Sequence, residues 1–307
     1  MPFQFIRNDL GIDFLGQWKW AFAFSTAVLL AGLIAYFPLG GFKYGIDFLG
    51  GTLVQVKFPE AHELSDVRGA LEAADLGAFD LQTFGDASSH EVLITLGAQE
   101  EQQAAGKQSL GEKIQEILTA KFPGLEIRRV ETVGPKVGGE LKGAAFAAIA
   151  FSVVAIMLYV WFRFEWRYGI AALIATAHDV LFVLAIFIFI QHEITLPVVA
   201  AVLTVAGYSI NDTIVILDRI RDNLRRFQKM TLWEIINNSV NQTLSRTLLT
   251  SGTTLLTVVA LFIFGGEIIH DFSLALLIGI LIGTFSSIWV ASPLLILLNH
   301  WFPHRAR

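Results

Sequence analysis

The sequence predicts a polytopic α-helical membrane protein with six transmembrane helices and one small α+β, ferredoxin-like domain. Of its 307 residues, 54% are hydrophobic and only 16% are charged, which is a far more apolar composition than that of soluble domains. Six stretches are apolar over about the 20 residues that cross a bilayer core of about 30 Å. One insertion, residues 38–142, lies between the first two stretches.

The composition also excludes several classes of protein. The chain has no cysteine, so it forms no disulfide, thiolate metal site or cysteine nucleophile. Its net charge of −5 offers no basic patch for nucleic acid. The GxxxxGK(S/T) phosphate loop, the HExxH zinc motif and the GxSxG elbow are all missing from the sequence. We therefore expect no enzyme activity, no metal and no cofactor.

The six apolar stretches give the predicted spans. The first is too long for the apolar core of a signal peptide and is followed by no A-x-A site, so it is interpreted as an uncleaved anchor. The predicted segments are an N-terminal segment (1–19), the first span (20–37), the insertion (38–142), a membrane domain (143–298) and a tail (299–307). Within the membrane domain, spans two to six are 143–162, 168–190, 194–217, 247–264 and 272–298.

Basic residues in the short connections predict the orientation. Those on one side are Arg163, Arg167, Arg219, Arg221, Arg225, Arg226, Lys229, Arg246, Arg305 and Arg307. The opposite short loops, 191–193 and 265–271, contain no Lys or Arg. By the positive-inside rule both termini are cytoplasmic and the insertion lies outside.

The insertion alternates strand and helix patterns. Val54, Val56 and Phe58 alternate with polar residues, as in a half-buried strand. The same reasoning gives helices over 64–74 and 110–122 and further strands over 79–84, 91–96 and 125–133, which is the order βαββαβ of a ferredoxin-like sheet. A polar run at 99–107 is predicted to be a mobile loop.

Three ionisable residues lie inside predicted spans, where such groups are costly and usually indicate function. His178 and Asp179 are about ten residues into the third span, roughly 15 Å deep. Asp212 is about six residues from the cytoplasmic end of the fourth span. The predicted polar face of that helix consists of Thr204, Tyr208, Asn211 and Asp212.

A second polar face begins at Arg246 in the fifth span and continues with Thr250, Thr254 and Thr257. The two polar faces are predicted to meet. Asp212 then either gains and loses a proton under the influence of Arg246 or forms a static salt bridge with it. Arg246 alone is equally explained as a determinant of topology. His178 and Asp179 either belong to the ion pathway or form hydrogen bonds that hold the third span.

Five motifs, in order along the chain, resemble the SecF family of bacterial protein-export membrane subunits. They are YGIDFLGGTLVQVKF (44–58), VGPKVGGEL (133–141), HDV (178–180), GYSINDTIVILDRIRDN (207–223) and LSRTLLTSGTTLL (244–256). The resemblance implies a half-transporter of the resistance-nodulation-division type in the bacterial inner membrane, with residues 38–142 in the periplasm.

The resemblance also implies partners and roles. The partners would be SecD, as an obligate heteromer, the SecYEG channel and unfolded preprotein, with YajC as a further candidate. The proton-motive force would drive a late step of export, and Na⁺ remains open as the coupling ion. The family's proton-conducting carboxylate and arginine map onto Asp212 and Arg246. Its opening DFxGG motif maps onto Asp47, Gly50 and Gly51, where paired glycines allow a positive-φ turn.

Two other functions stay open. One is a structural assembly subunit of the translocase that moves no ions, and the other is a proton-driven efflux transporter of the same superfamily. The buried charges argue against the first, because a scaffold has no need of them. The small insertion and the presence of only six spans argue against the second.

Overall fold

The computed structural model describes residues 11–74, 76–84, 89–97 and 110–302. The chain divides into two compact units. The membrane unit comprises Met1–Lys43, Ala148–His192 and Pro197–Arg307, and the α+β unit comprises Tyr44–Ala147 and Glu193–Leu196. The predicted loop at 99–107 and the tail residues Arg305 and Arg307 lie outside the described residues.

Within the described residues, six helical segments are long and apolar enough to cross a membrane, as the sequence predicted. A 3₁₀ turn, Leu15–Gln17, precedes the first of them. In chain order the helices are α1 (Trp18–Tyr36), α2 (Ile46–Leu49), α3 (Leu64–Glu72), α4 (Leu110–Lys121), α5 (Pro135–Arg163), α6 (Trp166–Ile190), α7 (Leu196–Arg226), α8 (Leu232–Phe264), α9 (Glu267–Ser286) and α10 (Ser292–Trp301). A π-helical segment, Ser287–Ala291, joins α9 to α10 within the sixth span.

Helices α7 and α8 extend well beyond the predicted apolar spans, which ended at 217 and began at 247. The reason is local. A capping box starts α8, in which the Thr231 hydroxyl accepts from the Glu234 backbone N–H and the Glu234 carboxylate accepts from the Thr231 backbone N–H. The polar extensions then bond to each other, since Asn223 Nδ2 donates to Ser239 Oγ at 2.8 Å. A hydropathy pattern identifies only the part of a helix that is apolar enough to lie in a bilayer, so it does not predict the polar extensions of α7 and α8.

The α+β unit contains the four-stranded antiparallel sheet that the alternation predicted. The strands of this sheet are β2 (Gly51–Lys57), β3 (Phe79–Phe84), β4 (Glu91–Gly97) and β5 (Glu126–Val133). Two further strands of two residues each, β1 (Lys43–Tyr44) and β6 (Glu193–Ile194), pair with each other. The order across the sheet is β3-β4-β2-β5, which is consistent with the ferredoxin-like arrangement. Val54 and Val56 on β2 pack with Leu71 of α3 and Leu118 of α4 in one buried core.

In the membrane unit, α6, α7 and the sixth span are the most buried helices, and α1 and α5 are the most exposed. Exposed apolar side chains on α1 and α5, such as Phe24, Leu33, Phe151 and Leu158, suit contact with lipid or another apolar surface. Among the described residues, the buried polar side chains of this unit come mainly from α6, α7 and α8.

Two asparagines of α8 hold the segment that precedes α1. Asn241 Oδ1 accepts from the Ile12 backbone N–H at 3.0 Å, and Asn237 Oδ1 accepts from the Phe14 N–H at 3.0 Å. Trp289, in the π-helical segment, donates its indole N–H to the Phe14 carbonyl at 3.0 Å. The chain before the first span is thus attached to the fifth and sixth spans.

Candidate functional site

Asp212 lies in the interior of the membrane unit and accepts hydrogen bonds from α8. Its side chain is 5% exposed. Ser251 Oγ donates to one carboxylate oxygen at 2.8 Å, and Thr250 Oγ1 lies 3.5 Å from the other. Thr284 of α9 donates in turn to Ser251 Oγ at 2.9 Å. A line of hydroxyl groups therefore joins the carboxylate of α7 to α8 and α9.

The two polar faces that the sequence identified do meet in the structure. The Tyr208 hydroxyl of α7 donates to Thr254 Oγ1 of α8 at 3.2 Å, one turn from the contact between Asp212 and Ser251. Two members of the predicted face do not take part. Thr204 is exposed and donates to the Ala200 carbonyl of its own helix, and Asn211 is exposed.

Arg246 is on the same side of α8 but does not form a salt bridge with Asp212. Its side chain is exposed, and within residues 110–302 no ion pair of 4.0 Å or less joins the two groups. Its positive charge nevertheless interacts with the Asp212 carboxylate over a longer distance. This geometry leaves Asp212 held by neutral hydroxyl groups, with a guanidinium nearby.

A second carboxylate, Asp179, is completely buried at the junction of three helices. It accepts from Ser286 Oγ of α9 at 2.7 Å and from Ser209 Oγ of α7. Its other oxygen lies 3.0 Å from Nδ1 of His178, the preceding residue on α6. The second imidazole nitrogen, Nε2, is buried, and no described residue forms a hydrogen bond with it.

Two glycines allow α7 and α9 to approach closely enough for these contacts. A Cβ atom on Gly279 would lie 2.0 Å from Val205 Cγ2, and one on Gly283 would lie 3.1 Å from Ser209 Cβ. Only glycine leaves room for the facing helix at Gly279, as in other small-residue helix contacts. The approach brings Ser209 and Ser286 to the same carboxylate.

Sequence reasoning missed Ser209, Ser251, Thr284 and Ser286. Only their positions in the sequence could have indicated two of these residues. Ser209 is one turn from Asp212 on α7, and Ser251 directly follows Thr250. A serine in an apolar span usually bonds to its own helix, as Thr204 does. Its contact with a carboxylate on another helix depends on how the helices pack.

The hydroxyl donors around the two carboxylates determine which chemistry the site supports. A carboxylate held by hydroxyl groups is able to accept a proton, because each hydroxyl both donates and accepts and is able to reorient when the carboxylate becomes neutral. Asp212, on α7, accepts from α8, and Asp179, on α6, accepts from α7 and α9. Helix α7 therefore carries one of the two carboxylates and a hydrogen-bond partner of the other. Among the described residues, no three His, Asp or Glu side chains gather to hold a metal ion.

The residues of the DFxGG motif lie in the α+β unit, away from these carboxylates in the sequence. Asp47 Oδ2 accepts from the Leu196 backbone N–H at 2.8 Å. Gly50 and Gly51 have φ angles of 76° and 135°, and a Cβ atom on Gly51 would lie 2.2 Å from the Leu96 carbonyl oxygen. The two glycines thus permit the turn into β2.

Comparison with known proteins places the chain in a family. Residues 113–301 match the model of the SecD/SecF protein-export membrane protein C-terminal domain, and residues 37–58 match that of the SecD/SecF GG motif. The protein translocase subunit SecF of Vibrio alginolyticus is 44% identical over 95% of this chain and 91% of its own length. SecF of Rickettsia prowazekii is 41% identical over 96% and 93%.

Solved structures agree with these matches. The crystal structure of SecDF, a translocon-associated membrane protein from Thermus thermophilus, superposes with a TM-score of 0.85 at 35% identity, over 96% of this chain. A SecDF structure in the super-membrane-facing form gives a TM-score of 0.68 at 36% identity. The chain spans about two fifths of each of those SecDF chains. By these matches over nearly its whole length, the chain belongs to the SecF family of protein translocase subunits.

Proposed function

We propose that this multi-pass membrane protein is an accessory subunit of the Sec translocase that, together with SecD, uses the proton-motive force to drive a late step of preprotein export. The observation that carries the ion-coupling part is Asp212, a buried carboxylate whose near partners are hydroxyl groups of a second helix. Such a group inside a membrane is costly, and it marks ion pathways in transporters.

The proposed mechanism begins with protonation of Asp212. The neutral form no longer attracts the Arg246 guanidinium and is a weaker acceptor for Ser251. Because Ser251 also bonds to Thr284, the change alters the contacts of α7 with α8 and of α8 with α9. The resulting helix movement reaches the domain at 38–142 through the first and second spans, which connect to it. Na⁺ binding by the same oxygens is the alternative coupling chemistry.

SecD is the proposed partner because the chain aligns with only about two fifths of a SecDF chain. Exposed apolar side chains on α1 and α5 and the exposed Arg246 are available for a second subunit. SecYEG, YajC and unfolded preprotein are proposed from family membership alone. The inner membrane, with both termini in the cytoplasm, is proposed from the basic connections. Enzyme activity and a cofactor have no part in the proposal.

The direct test replaces the native subunit in cells. After its depletion, the wild-type chain, Asp212→Asn or the control Thr253→Ala is expressed at equal membrane abundance, and a pulse-labelled secreted protein is followed as it matures. Thr253 is exposed and donates to its own helix at Leu249. We expect the wild type and Thr253→Ala to restore maturation and Asp212→Asn to restore little of it.

One observation favours the structural alternative, an assembly subunit that moves no ions. Asp179 is fully buried and accepts from three side chains, as a fixed structural group would. Full rescue by Asp212→Asn in the same experiment would support that alternative and overturn the ion-coupling proposal.

A further inference from the structure

The most unusual charged group outside the carboxylate network is Arg167, at the start of α6. Its side chain is 8% exposed, which is rare for an arginine. One guanidinium nitrogen, Nη1, donates to Asn299 Oδ1 at 2.9 Å. Another, Nε, is buried and has no hydrogen-bond partner in the described part of the chain. Among the described residues, no carboxylate lies within 4.0 Å of it. A buried cation normally has an anionic partner.

Three more arginines belong to the ends of α5 and α7 and share the aromatic neighbours Phe164 and Tyr168 with the start of α6. We call these four residues the basic cluster: Arg163, Arg167, Arg221 and Arg225. Arg167, Arg221 and Arg225 all interact electrostatically with Tyr168. The guanidinium groups of Arg163 and Arg221 lie 5.2 Å and 5.1 Å from the centre of the Phe164 ring. The cluster therefore gathers the ends of α5, α6 and α7.

The acidic groups near the cluster do not neutralise it. Asp218 pairs with Arg221 at 2.5 Å, and Glu165, which is exposed, interacts with Tyr168. Even with Asp222, which lies three residues before Arg225 on α7, four guanidinium groups against three carboxylates leave a positive charge. Nε of Arg221, like that of Arg167, is buried and has no acceptor among the residues described, whereas nearly all buried donors in proteins have one.

Apolar aromatic residues border the cluster where the helices would leave the bilayer. Phe162 is 96% exposed, and Trp166 and Trp301 are also exposed. The Trp166 and Phe302 rings are in contact, with centroids 5.3 Å apart. Tryptophan at this level is typical of the membrane interface. A ligand at this place would contact the guanidinium groups and the Tyr168 phenol on one side and exposed apolar rings, such as those of Phe162 and Trp166, on the other.

We propose that the basic cluster binds the phosphate headgroup of an anionic phospholipid, with its acyl chains against the exposed aromatic residues. Phosphate oxygens suit the planar donors of guanidinium groups. Basic pockets between transmembrane helices on the cytoplasmic side are suited to anionic lipid headgroups. The adjoining apolar surface favours a lipid over free phosphate.

The test is a titration of the purified full-length chain in neutral detergent, with bound lipid counted by native mass spectrometry. The probes are palmitoyl-oleoyl phosphatidylglycerol, the matching phosphatidylcholine and inorganic phosphate. Arg225→Gln and Arg167→Gln each remove a charge from the cluster. Arg226→Gln removes the same charge from the neighbouring exposed position. Arg225 is exposed, so Arg225→Gln is expected to fold. It therefore tests the cluster even if replacement of the buried Arg167 prevents folding.

We expect phosphatidylglycerol to bind more tightly than phosphatidylcholine, and Arg225→Gln and Arg167→Gln each to weaken its binding about fivefold. Arg226→Gln should change the affinity by less than about twofold. Equal losses in Arg225→Gln and Arg226→Gln would show diffuse surface attraction and overturn the proposal. So would equal binding of the two lipids, or binding of inorganic phosphate as tight as that of phosphatidylglycerol.

Discussion

Replacement of Gly279 by alanine is expected to lower the free energy of unfolding by about 1–3 kcal/mol, the usual cost of overpacking. The new Cβ atom would lie 2.0 Å from Val205 Cγ2 and 2.7 Å from Cγ1. A valine in a helix has essentially one rotamer, so α7 and α9 must move apart. Because Ser209 and Asp212 are on the displaced helix, we also expect the contacts of both carboxylates to loosen. Equilibrium unfolding in detergent, followed by tryptophan fluorescence, measures the stability.

The matched control for this change is Gly207→Ala, on α7 itself. A Cβ atom there meets nothing within 4 Å, and alanine is favoured over glycine in a helix by about 1 kcal/mol. The control is therefore expected to be neutral or stabilising. If Gly279→Ala proved as stable as Gly207→Ala, α7 and α9 would not pack as closely as described.

Replacement of Asp179 by alanine is expected to cost roughly 2–4 kcal/mol of stability, since buried donors that lose an acceptor cost about 1–3 kcal/mol each. Ser209, Ser286 and His178 all lose their common partner. Asp179→Asn keeps the shape and one acceptor oxygen, so its loss should be smaller. The same unfolding measurement applies, with the exposed Thr253→Ala as the control that changes stability by less than about 0.5 kcal/mol.

Comparing the stability of Asp179→Asn with its export activity distinguishes a structural role of Asp179 from a role in ion movement. If it only ties α6, α7 and α9 together, Asp179→Asn should keep export activity in proportion to its stability. If it carries ions as well, Asp179→Asn should lose export while remaining folded. An Asp179→Ala chain as stable as the wild type would contradict the hydrogen-bonded junction itself.

Hydropathy and alternation were sufficient to predict the main elements. The six spans follow from apolar length, and the βαββαβ order follows from periods of two and 3.6 residues. These signals failed at helix ends, where a capping box rather than hydropathy starts α8 at Leu232. Depth in the membrane identified Asp212 and Asp179, because an ionisable residue in an apolar stretch is visible in the sequence.

The partners of those carboxylates were not predictable in the same way. Ser209 and Ser286 come from helices distant in sequence, and they meet at Asp179 because glycines let α7 and α9 approach. The sequence left two interpretations of Asp212, a carboxylate that gains and loses a proton near Arg246 or a static salt bridge with it, and the structure gives Asp212 hydroxyl partners in place of the salt bridge. In the basic connections, charge alone predicted orientation, and only packing showed that Arg167 is buried.

Coupling of export to the ion gradient through Asp212 is tested by measuring how export depends on that gradient. Cells that contain only the wild-type chain or only Asp212→Asn, at equal abundance, would be treated with graded uncoupler while maturation of a pulse-labelled precursor is timed. The account predicts that wild-type maturation slows steeply as the gradient falls, whereas Asp212→Asn is slow throughout and nearly independent of uncoupler. An Asp212→Asn chain with wild-type rates and the same dependence on the gradient would contradict it.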